Sequence, residues 1–185
     1  LAGHPGVEMV AAVDPGHAAR DTLAEGYGIA QRFDTVDELL SSDVDFNAAL
    51  VASPPFVHAQ QAAALLEAGK HVMVEKPMAI QLDDAERLVT LAQERGVTLA
   101  VSMFRRLLPG FEQLLSVARS GSMGTLQGIT LRAGGKFDWD VQSLSVFDAE
   151  KSGGGILMDI GPHYLDLIFE LAGTHDFTID QIDES

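Results

Sequence analysis

Short apolar segments alternate with amphipathic segments throughout the first hundred residues of this 185-residue chain. The apolar segments have the length of strands and comprise residues 7–13, 47–52, 71–74 and 98–101. The amphipathic segments have helical spacing and comprise residues 17–25, 36–41, 54–68 and 82–95. Strands that alternate with helices in this way pair in parallel, because each helix carries the chain back to the start of the next strand. The pattern therefore predicts a doubly wound α/β domain with helices on both faces of a parallel sheet.

Turn and capping residues mark the ends of the predicted helices. Thr35 precedes one helix, where its hydroxyl can accept from the backbone N–H of Glu38. The Glu38 carboxylate can in turn accept from the backbone N–H of Thr35, as in a capping box. Pro54-Pro55 suits the first turn of another helix. The predicted stop signals are glycines, which tolerate the left-handed conformation after a helix: Gly26, Gly28, Gly69 and Gly96.

The alternating pattern is lost after about residue 100. Residues 109–119 have helical spacing, residues 126–133 resemble a strand, and three glycines lead into an amphipathic helix at 162–171. We predict a nucleotide-binding domain at residues 1–105 and part of an α+β domain at 106–185, with the change of pattern between 102 and 122. The chain starts with Leu1 and ends in a polar run, so we expect it to be incomplete at both ends.

Composition excludes several classes of partner and chemistry. A net charge of −15 argues against nucleic acid, whose phosphates require a surplus of Lys and Arg on one face. The absence of cysteine excludes disulfides and thiolate catalysis. We find neither an apolar run long enough to cross a membrane nor a signal peptide, and therefore predict a cytoplasmic protein with no membrane partner. The six histidines lack ligand spacing, so we predict no metal site.

Asp14 directly follows a predicted strand, at the position where open α/β sheets bind their ligands. An acid there can accept hydrogen bonds from both hydroxyls of an adenosine ribose. An aspartate before Pro15-Gly16 is also an ordinary turn residue, and this alternative stays open. No Gly-x-Gly-x-x-Gly motif precedes Asp14, so we expect the first strand and its phosphate-binding loop to be absent from this chain.

Two further groups of polar residues follow predicted strands and would face the same crevice. The first is Ser53-Pro54 with His58, which can also be explained as a helix start with a partly exposed histidine. The second is Glu75-Lys76, which places an ammonium group at the end of an apolar strand where a proline blocks its continuation. A surface turn would account for the second group equally well.

The segment from Gly153 to His163 is the most unusual in the chain. Asp159 and His163 stand four residues apart across a helix start, so that a carboxylate and an imidazole can point to a common region. An imidazole with a pKa near its ordinary value of about 6.5 is a suitable proton acceptor. Asp159 can alternatively cap the helix that contains Pro162 and His163, and the two roles can coexist.

Two segments resemble the signatures of one enzyme family. The sequence ALVASPPFVHAQQAAALLEAGKHVMVEKPMA, which begins at Ala49, resembles the end of the nucleotide-binding domain of the glucose-fructose oxidoreductase / inositol dehydrogenase (Gfo/Idh/MocA) superfamily. The sequence SGGGILMDIGPHYLDLIFELAG, which begins at Ser152, resembles its second signature. Arg106 and the following residues also match the family, and the resemblance extends over most of residues 7–173.

The resemblance implies a Rossmann-type domain followed by an α+β domain that carries the substrate site and mediates formation of a homo-oligomer. It implies hydride transfer between NAD, in preference to NADP, and a hydroxyl of a sugar, inositol or related polyol. The residues that it assigns to the cofactor are Asp14, Ser53, Pro54, His58, Glu75, Lys76 and Arg106. Those that it assigns to the substrate are Lys76, Asp159 and His163. Trp139, with Lys136, Asp138 and Asp140, can line a sugar site by stacking and hydrogen bonding, and an ordinary loop anchored by its aromatic residues is an equally good explanation.

The same resemblance implies the chemistry of three residues. His163 would remove the hydroxyl proton, Lys76 would stabilise the developing alkoxide, and Asp159 would orient the reacting groups. Two other functions on this fold remain open: an NAD-retaining glycoside hydrolase, and a sugar-sensing regulator without catalytic groups. Net formation of NADH from a free sugar would distinguish the dehydrogenase from both.

Overall fold

The chain divides into two compact units, which comprise Leu1–Ser102 and Met103–Ser185. The computed structural model describes residues 3–135 and 148–181. The first unit contains five parallel strands and four helices, and the second contains helices with irregular connections among its described residues.

The strands of the first unit form two parallel sheets. One sheet pairs β1 (Ala11–Val13) with β2 (Gln31–Phe33), with Val13 opposite Phe33. The other consists of three strands in the order β3-β4-β5: Ala48–Val51, His71–Val74 and Leu99–Val101. The predicted parallel α/β architecture is confirmed. Strand β2 was not predicted, because a three-residue segment with Gln and Arg lacks an apolar pattern.

Each of the first four strands is followed by a helix, as the alternating pattern predicts. The helices are α1 (His17–Tyr27), α2 (Val36–Leu40), α3 (Pro55–Glu67) and α4 (Leu82–Arg95). The prediction for α4 is confirmed at both ends. Gly26 is not a stop signal, since it lies inside α1, and that helix ends at Gly28, whose φ is +68°.

Helices α3 and α4 bury one face of the three-stranded sheet. Val72 and Val74 alternate with exposed residues along β4 and pack with Leu66 of α3 and Leu88 of α4 in one cluster. Leu66 and Val74 are fully buried. Met73 points to the opposite face and is 38% exposed, as the period of two along a strand requires. This core holds β3, β4 and β5 in register.

Thr35 begins α2 as predicted, while the reciprocal bond differs from the expected capping box. The Thr35 hydroxyl accepts from the backbone N–H of Glu38 at 3.2 Å. The Glu38 carboxylate accepts from the N–H of Asp34 at 2.9 Å, one residue before the expected partner. The first bond satisfies an N–H group that the start of a helix leaves without an intrahelical partner, and the second binds the N–H of the residue before the N-cap. They also fix Asp34 at the junction of β2 and α2.

The second unit starts with a 3-10 turn at Phe104–Leu107 and continues with α5 (Pro109–Arg119), whose predicted bounds are confirmed. The remaining helices are α6 (Ala149–Ser152), α7 (Ile156–Asp159) and α8 (Gly161–Ala172). The predicted strand at 126–133 is wrong: these residues form no regular element. A strand needs a neighbour for its backbone groups, and no described segment pairs with this one. None of the helices in the described part of the chain has the length and apolar character needed to cross a membrane.

We expect Leu66→Ala to lower the free energy of unfolding of the chain by about 2–5 kcal/mol, because it removes a buried side chain and leaves a cavity. Leu82→Ala is the matched control, since Leu82 is 72% exposed and its truncation should change stability by less than about 0.5 kcal/mol. Urea unfolding followed by circular dichroism measures both variants. Equal losses in the two variants would contradict the assignment of Leu66 to the core.

Candidate active site

The carboxyl ends of β3, β4 and β5 lie at one edge of their sheet. The N–H of Glu75 donates to the carbonyl of Val51 at 2.8 Å, and the N–H of Ser102 donates to Val74 at 2.9 Å. These bonds continue the parallel ladder past the ends of the strands. Glu75 and the residues that follow Val51, including Ser53, therefore stand at the same edge, as predicted. Lys76 comes next along the chain, beyond the end of the central strand, and is half-buried.

Asp14 stands at the carboxyl end of β1, in the two-stranded sheet. Its N–H donates to the carbonyl of Phe33 at 3.1 Å, and its Oδ1 accepts from the N–H of Gly16 at 2.7 Å. The expectation that Asp14 shares one sheet with Ser53 and Glu75 is wrong for the described residues, because β1 pairs only with β2. The carboxylate has the turn role that the sequence left open, and this role holds it at the end of a strand.

His58 is buried, although the sequence suggested a role in cofactor binding. Its side chain lies on α3 and the residue is 1% exposed. Nδ1 lies 2.8 Å from the carbonyl oxygen of Pro77, and Nε2 lies 2.6 Å from that of Ser53. Both ring nitrogens thus lie within hydrogen-bond distance of backbone oxygens, and the direct cofactor contact stays a prediction that this burial does not favour. His58 instead connects the segment after β3 to the segment after β4, next to Lys76.

Ser53 and Pro54 also differ in what they offer to a ligand. The Ser53 hydroxyl donates to Oε1 of Gln61 at 2.6 Å, and the residue is half-buried. Pro54 is exposed and lies at the N-cap of α3. The sequence did not single out Gln61, because one Gln on a helix carries no recognisable signal. Its spacing of eight residues from Ser53 becomes meaningful only once α3 folds back over the end of β3.

A glycine turn sets the direction in which the second motif enters its helices. Gly153 has a φ of +82° and Gly154 a φ of +149°, which side chains with a Cβ rarely adopt. The Ser152 hydroxyl donates to the carbonyl of Gly154 at 2.7 Å and closes the turn. Asp159 ends α7, and α8 has Ile160 at its N-cap, so the alternative that Asp159 caps the helix of His163 is wrong.

His163 lies in the first turn of α8 and is 5% exposed. The Phe104 ring packs against it edge-on, with the ring centroids 5.1 Å apart and the ring planes at 78°. This contact fixes the orientation of the imidazole within the second unit. A ring so enclosed offers a ligand only a small part of its surface, so catalysis by His163 requires a substrate that is bound closely and in one orientation.

Arg106 is held by two acidic residues of α8. Its Nε donates to Asp166 at 2.6 Å, its Nη2 pairs with the same carboxylate, and its Nη1 lies 2.8 Å from Glu170. The hydrogen bond that the guanidinium donates to Asp166 is the main cause that raises the pKa of Arg106. These partners hold Arg106 within its own unit, and the cofactor contact suggested for it stays a prediction. Trp139 and its polar neighbours Lys136, Asp138 and Asp140 lie outside the described residues.

The structure reveals a charged cluster that sequence reasoning missed. Nη1 of Arg20 bonds to Asp34, and Nε2 of His17 lies 3.4 Å from the same carboxylate. His17 and Arg20 share one face of α1 because they are three residues apart. The sequence is sufficient to place His17 and Arg20 on one helix face. It does not identify Asp34 as their partner, because Asp34 comes close to them only when β1 pairs with β2. In the described part of the chain, no group of three or more His, Asp or Glu side chains is arranged to hold a metal ion.

Two family models match the chain in succession. An oxidoreductase family with an NAD-binding Rossmann fold matches residues 1–103, and the GFO/IDH/MocA C-terminal domain matches residues 111–176. A curated relative, D-glucoside 3-dehydrogenase from Escherichia coli (strain K12), is 33% identical over 170 residues. The alignment covers 90% of this chain and 47% of that protein. The chain thus spans about half the length of the curated relatives that it matches.

Solved structures show the same fold. GenD2 from gentamicin A biosynthesis, crystallised in complex with NAD, is 28% identical and superposes with a TM-score of 0.76 over 91% of this chain and 47% of that chain. Myo-inositol 2-dehydrogenase from Lactobacillus plantarum is 17% identical, with a TM-score of 0.77 over 92% and 50% of the two chains, and supports the fold alone. The family model that matches residues 1–103 covers more than half of the sequence. The chain therefore belongs to the GFO/IDH/MocA family of oxidoreductases.

Proposed function

We propose that the protein containing this chain is an NAD-dependent dehydrogenase that oxidises or reduces a hydroxyl-bearing carbon of a sugar or related polyol. The observation that carries the proposal is the position of Lys76 beyond the carboxyl end of the central strand β4, in a chain that matches both domains of an oxidoreductase family. Open α/β sheets bind their ligands outside this edge. A lysine there can reach the reacting oxygen of a substrate.

The residues at the end of β1 fit the adenosine end of NAD. Asp14 is held by the N–H of Gly16 through Oδ1, while Oδ2 has no hydrogen-bond partner among the described residues. A carboxylate fixed in this way can accept hydrogen bonds from the two hydroxyls of a ribose. The same negative charge repels a 2′-phosphate, so Asp14 favours NAD over NADP. The N-terminal family model, which describes an NAD-binding fold, supports this assignment.

Three side chains divide the work of the reaction. A bound nicotinamide ring supplies the acceptor for the hydride. His163 accepts the hydroxyl proton, since an imidazole exchanges protons near neutral pH. Lys76 donates a hydrogen bond to the hydroxyl oxygen and stabilises the negative charge that develops there. Asp159, four residues before His163, orients the substrate through a second hydroxyl.

The substrate class is proposed from the family and its relatives. The relative named D-glucoside 3-dehydrogenase indicates a sugar hydroxyl as the reacting group. Sugars and inositols present several adjacent hydroxyls, and ammonium, carboxylate and imidazole side chains can each form hydrogen bonds with such groups. Incubation of the purified protein with NAD and a panel of free sugars, glycosides and inositols tests the proposal through NADH absorbance. Absence of NADH with every member of the panel would contradict it.

We expect His163→Ala to lower kcat by about 10²-fold or more, the usual scale for loss of a general base. The affinity for NAD should stay nearly unchanged, because His163 is assigned to the substrate and not to the cofactor. His175→Ala is the control, since it removes an exposed imidazole from the same unit. Steady-state kinetics and calorimetric titration with NAD measure both effects. Near-normal turnover by the His163 variant would refute the catalytic assignment.

We expect Lys76→Met to lower kcat/KM by about 10²–10³-fold, because it removes the donor that stabilises the developing alkoxide. Methionine is unbranched and keeps most of the length of the lysine stem, so that packing changes little. Lys151→Met is the matched control on an exposed lysine that pairs with Asp148. A loss confined to NAD affinity, with kcat intact, would assign Lys76 to the cofactor alone.

We expect the unmodified protein to use NAD with a kcat/KM at least several-fold higher than with NADP, because the Asp14 carboxylate repels the 2′-phosphate. Parallel kinetics with the two dinucleotides at one salt concentration make the comparison. Asp14→Ser should lower kcat/KM with NAD, and so bring the ratio of kcat/KM with NAD to kcat/KM with NADP closer to one. Higher efficiency with NADP in the unmodified protein would show that the ribose assignment is wrong.

A further inference from the structure

Asp34 holds two basic side chains at the start of α1. Nη1 of Arg20 bonds to Oδ1 of Asp34, and Nε2 of His17 lies 3.4 Å from both carboxylate oxygens. The Arg20 side chain is 12% exposed and the Asp34 side chain 46%. The guanidinium is therefore largely buried. Its positive charge is neutralised by Asp34, which lies between β2 and α2. A second carboxylate, Asp21, lies 3.7 Å from Nε of Arg20.

This cluster adjoins the carboxylate that we assign to the ribose. Val13 of β1 pairs with Phe33 of β2, and the N–H of Asp14 donates to the carbonyl of Phe33. Asp34 is the next residue after Phe33, so Asp14 and Asp34 follow neighbouring parallel strands at one edge. On the other side, the N–H of Arg20 donates to the carbonyl of Gly16, whose own N–H binds Asp14.

The chemistry of this edge matters for the choice of dinucleotide. NADP differs from NAD by a phosphate on the 2′ oxygen of the adenosine ribose, which carries a charge of about −1.5 to −2 near neutral pH. Enzymes that accept NADP place an arginine near that oxygen, since the guanidinium binds phosphate through two parallel hydrogen bonds. Arg20 is the basic side chain one turn into the helix after Asp14, and its charge is directed to Asp34.

We propose that Asp34 is a specificity-determining residue, which disfavours NADP by holding the Arg20 guanidinium that would otherwise bind the 2′-phosphate. The inference rests on the proposed function, in which Asp14 binds the ribose of NAD. Asp34 acts through Arg20 and His17 rather than by touching the cofactor. Rejection of NADP then has two parts: repulsion by Asp14, and the pairing of the Arg20 guanidinium with Asp34.

Two features keep Asp34 in this role. Its backbone N–H donates to Oε2 of Glu38, and the following residue, Thr35, caps α2, so that the main chain at Asp34 is fixed. The hydrogen bond from Arg20 is the main cause that lowers the pKa of the Asp34 carboxyl below its ordinary value. The carboxylate therefore keeps its charge near neutral pH, where the dinucleotides bind.

The test is Asp34→Asn, which keeps the shape of the side chain and removes its charge. The ratio of kcat/KM with NADP to kcat/KM with NAD should rise by about tenfold, the scale of one charge-assisted hydrogen bond gained by the phosphate. Asp37→Asn is the matched control: it removes the same charge from an exposed residue three positions further on and should leave the ratio unchanged. Circular dichroism and thermal unfolding establish that the Asp34 variant is folded.

A second variant identifies the cation. Adding Arg20→Met to Asp34→Asn should abolish the gain, whereas Arg20→Met alone should leave the ratio close to that of the unmodified protein, because its guanidinium is already occupied. A folded Asp34 variant whose ratio does not change would overturn the inference while the proposed function stands. A gain that persists without Arg20 would overturn it as well. An unmodified protein that binds neither NAD nor NADP would overturn the proposed function, and the inference with it.

Discussion

Parallel hydrogen bonding of β3, β4 and β5 is the constraint on which the candidate site depends. Parallel strands begin at one edge of a sheet and end at the other, so side chains that follow different strands meet without being close in the sequence. The core beneath β4, formed by Val72 and Val74 with Leu66 and Leu88, keeps the strands in register. The position of Ser53, Glu75 and Lys76 at one edge follows from that packing.

His58 lies within the predicted binding motif, but its buried ring supports the loops around the candidate site. Its ring is enclosed between the carbonyl oxygens of Ser53 and Pro77, which belong to the loops after β3 and β4. The contact ties the loop that contains Lys76 to the start of α3, so that the lysine stands on a supported segment and not on a free turn.

Ion pairing decides which arginines are available to a ligand. Arg106 matched a family position, but it binds Asp166 and Glu170 of its own unit. Arg20 was not recognised from the sequence, and its contact with Asp34 is the basis of the cofactor discrimination that we propose. A guanidinium already bound by a carboxylate must lose that partner before it can bind a phosphate. The positions of the carboxylates are thus as important to the chemistry as those of the arginines.

The sequence by itself determined the α/β class and the bounds of α4, β4 and α5. It also identified the motifs that contain Lys76, Asp159 and His163. These features could be predicted because hydrophobic periodicity, proline and glycine act over a few residues. Tertiary structure alone decided the burial of His58, the partners of Arg20 and Arg106, and the absence of a strand at residues 126–133. These features depend on atoms supplied by distant segments: a carbonyl 19 residues from His58, a carboxylate 60 residues from Arg106, and a neighbouring strand that the described residues do not provide. Local pattern cannot specify such partners, since a ring or a guanidinium binds whatever the fold brings within reach.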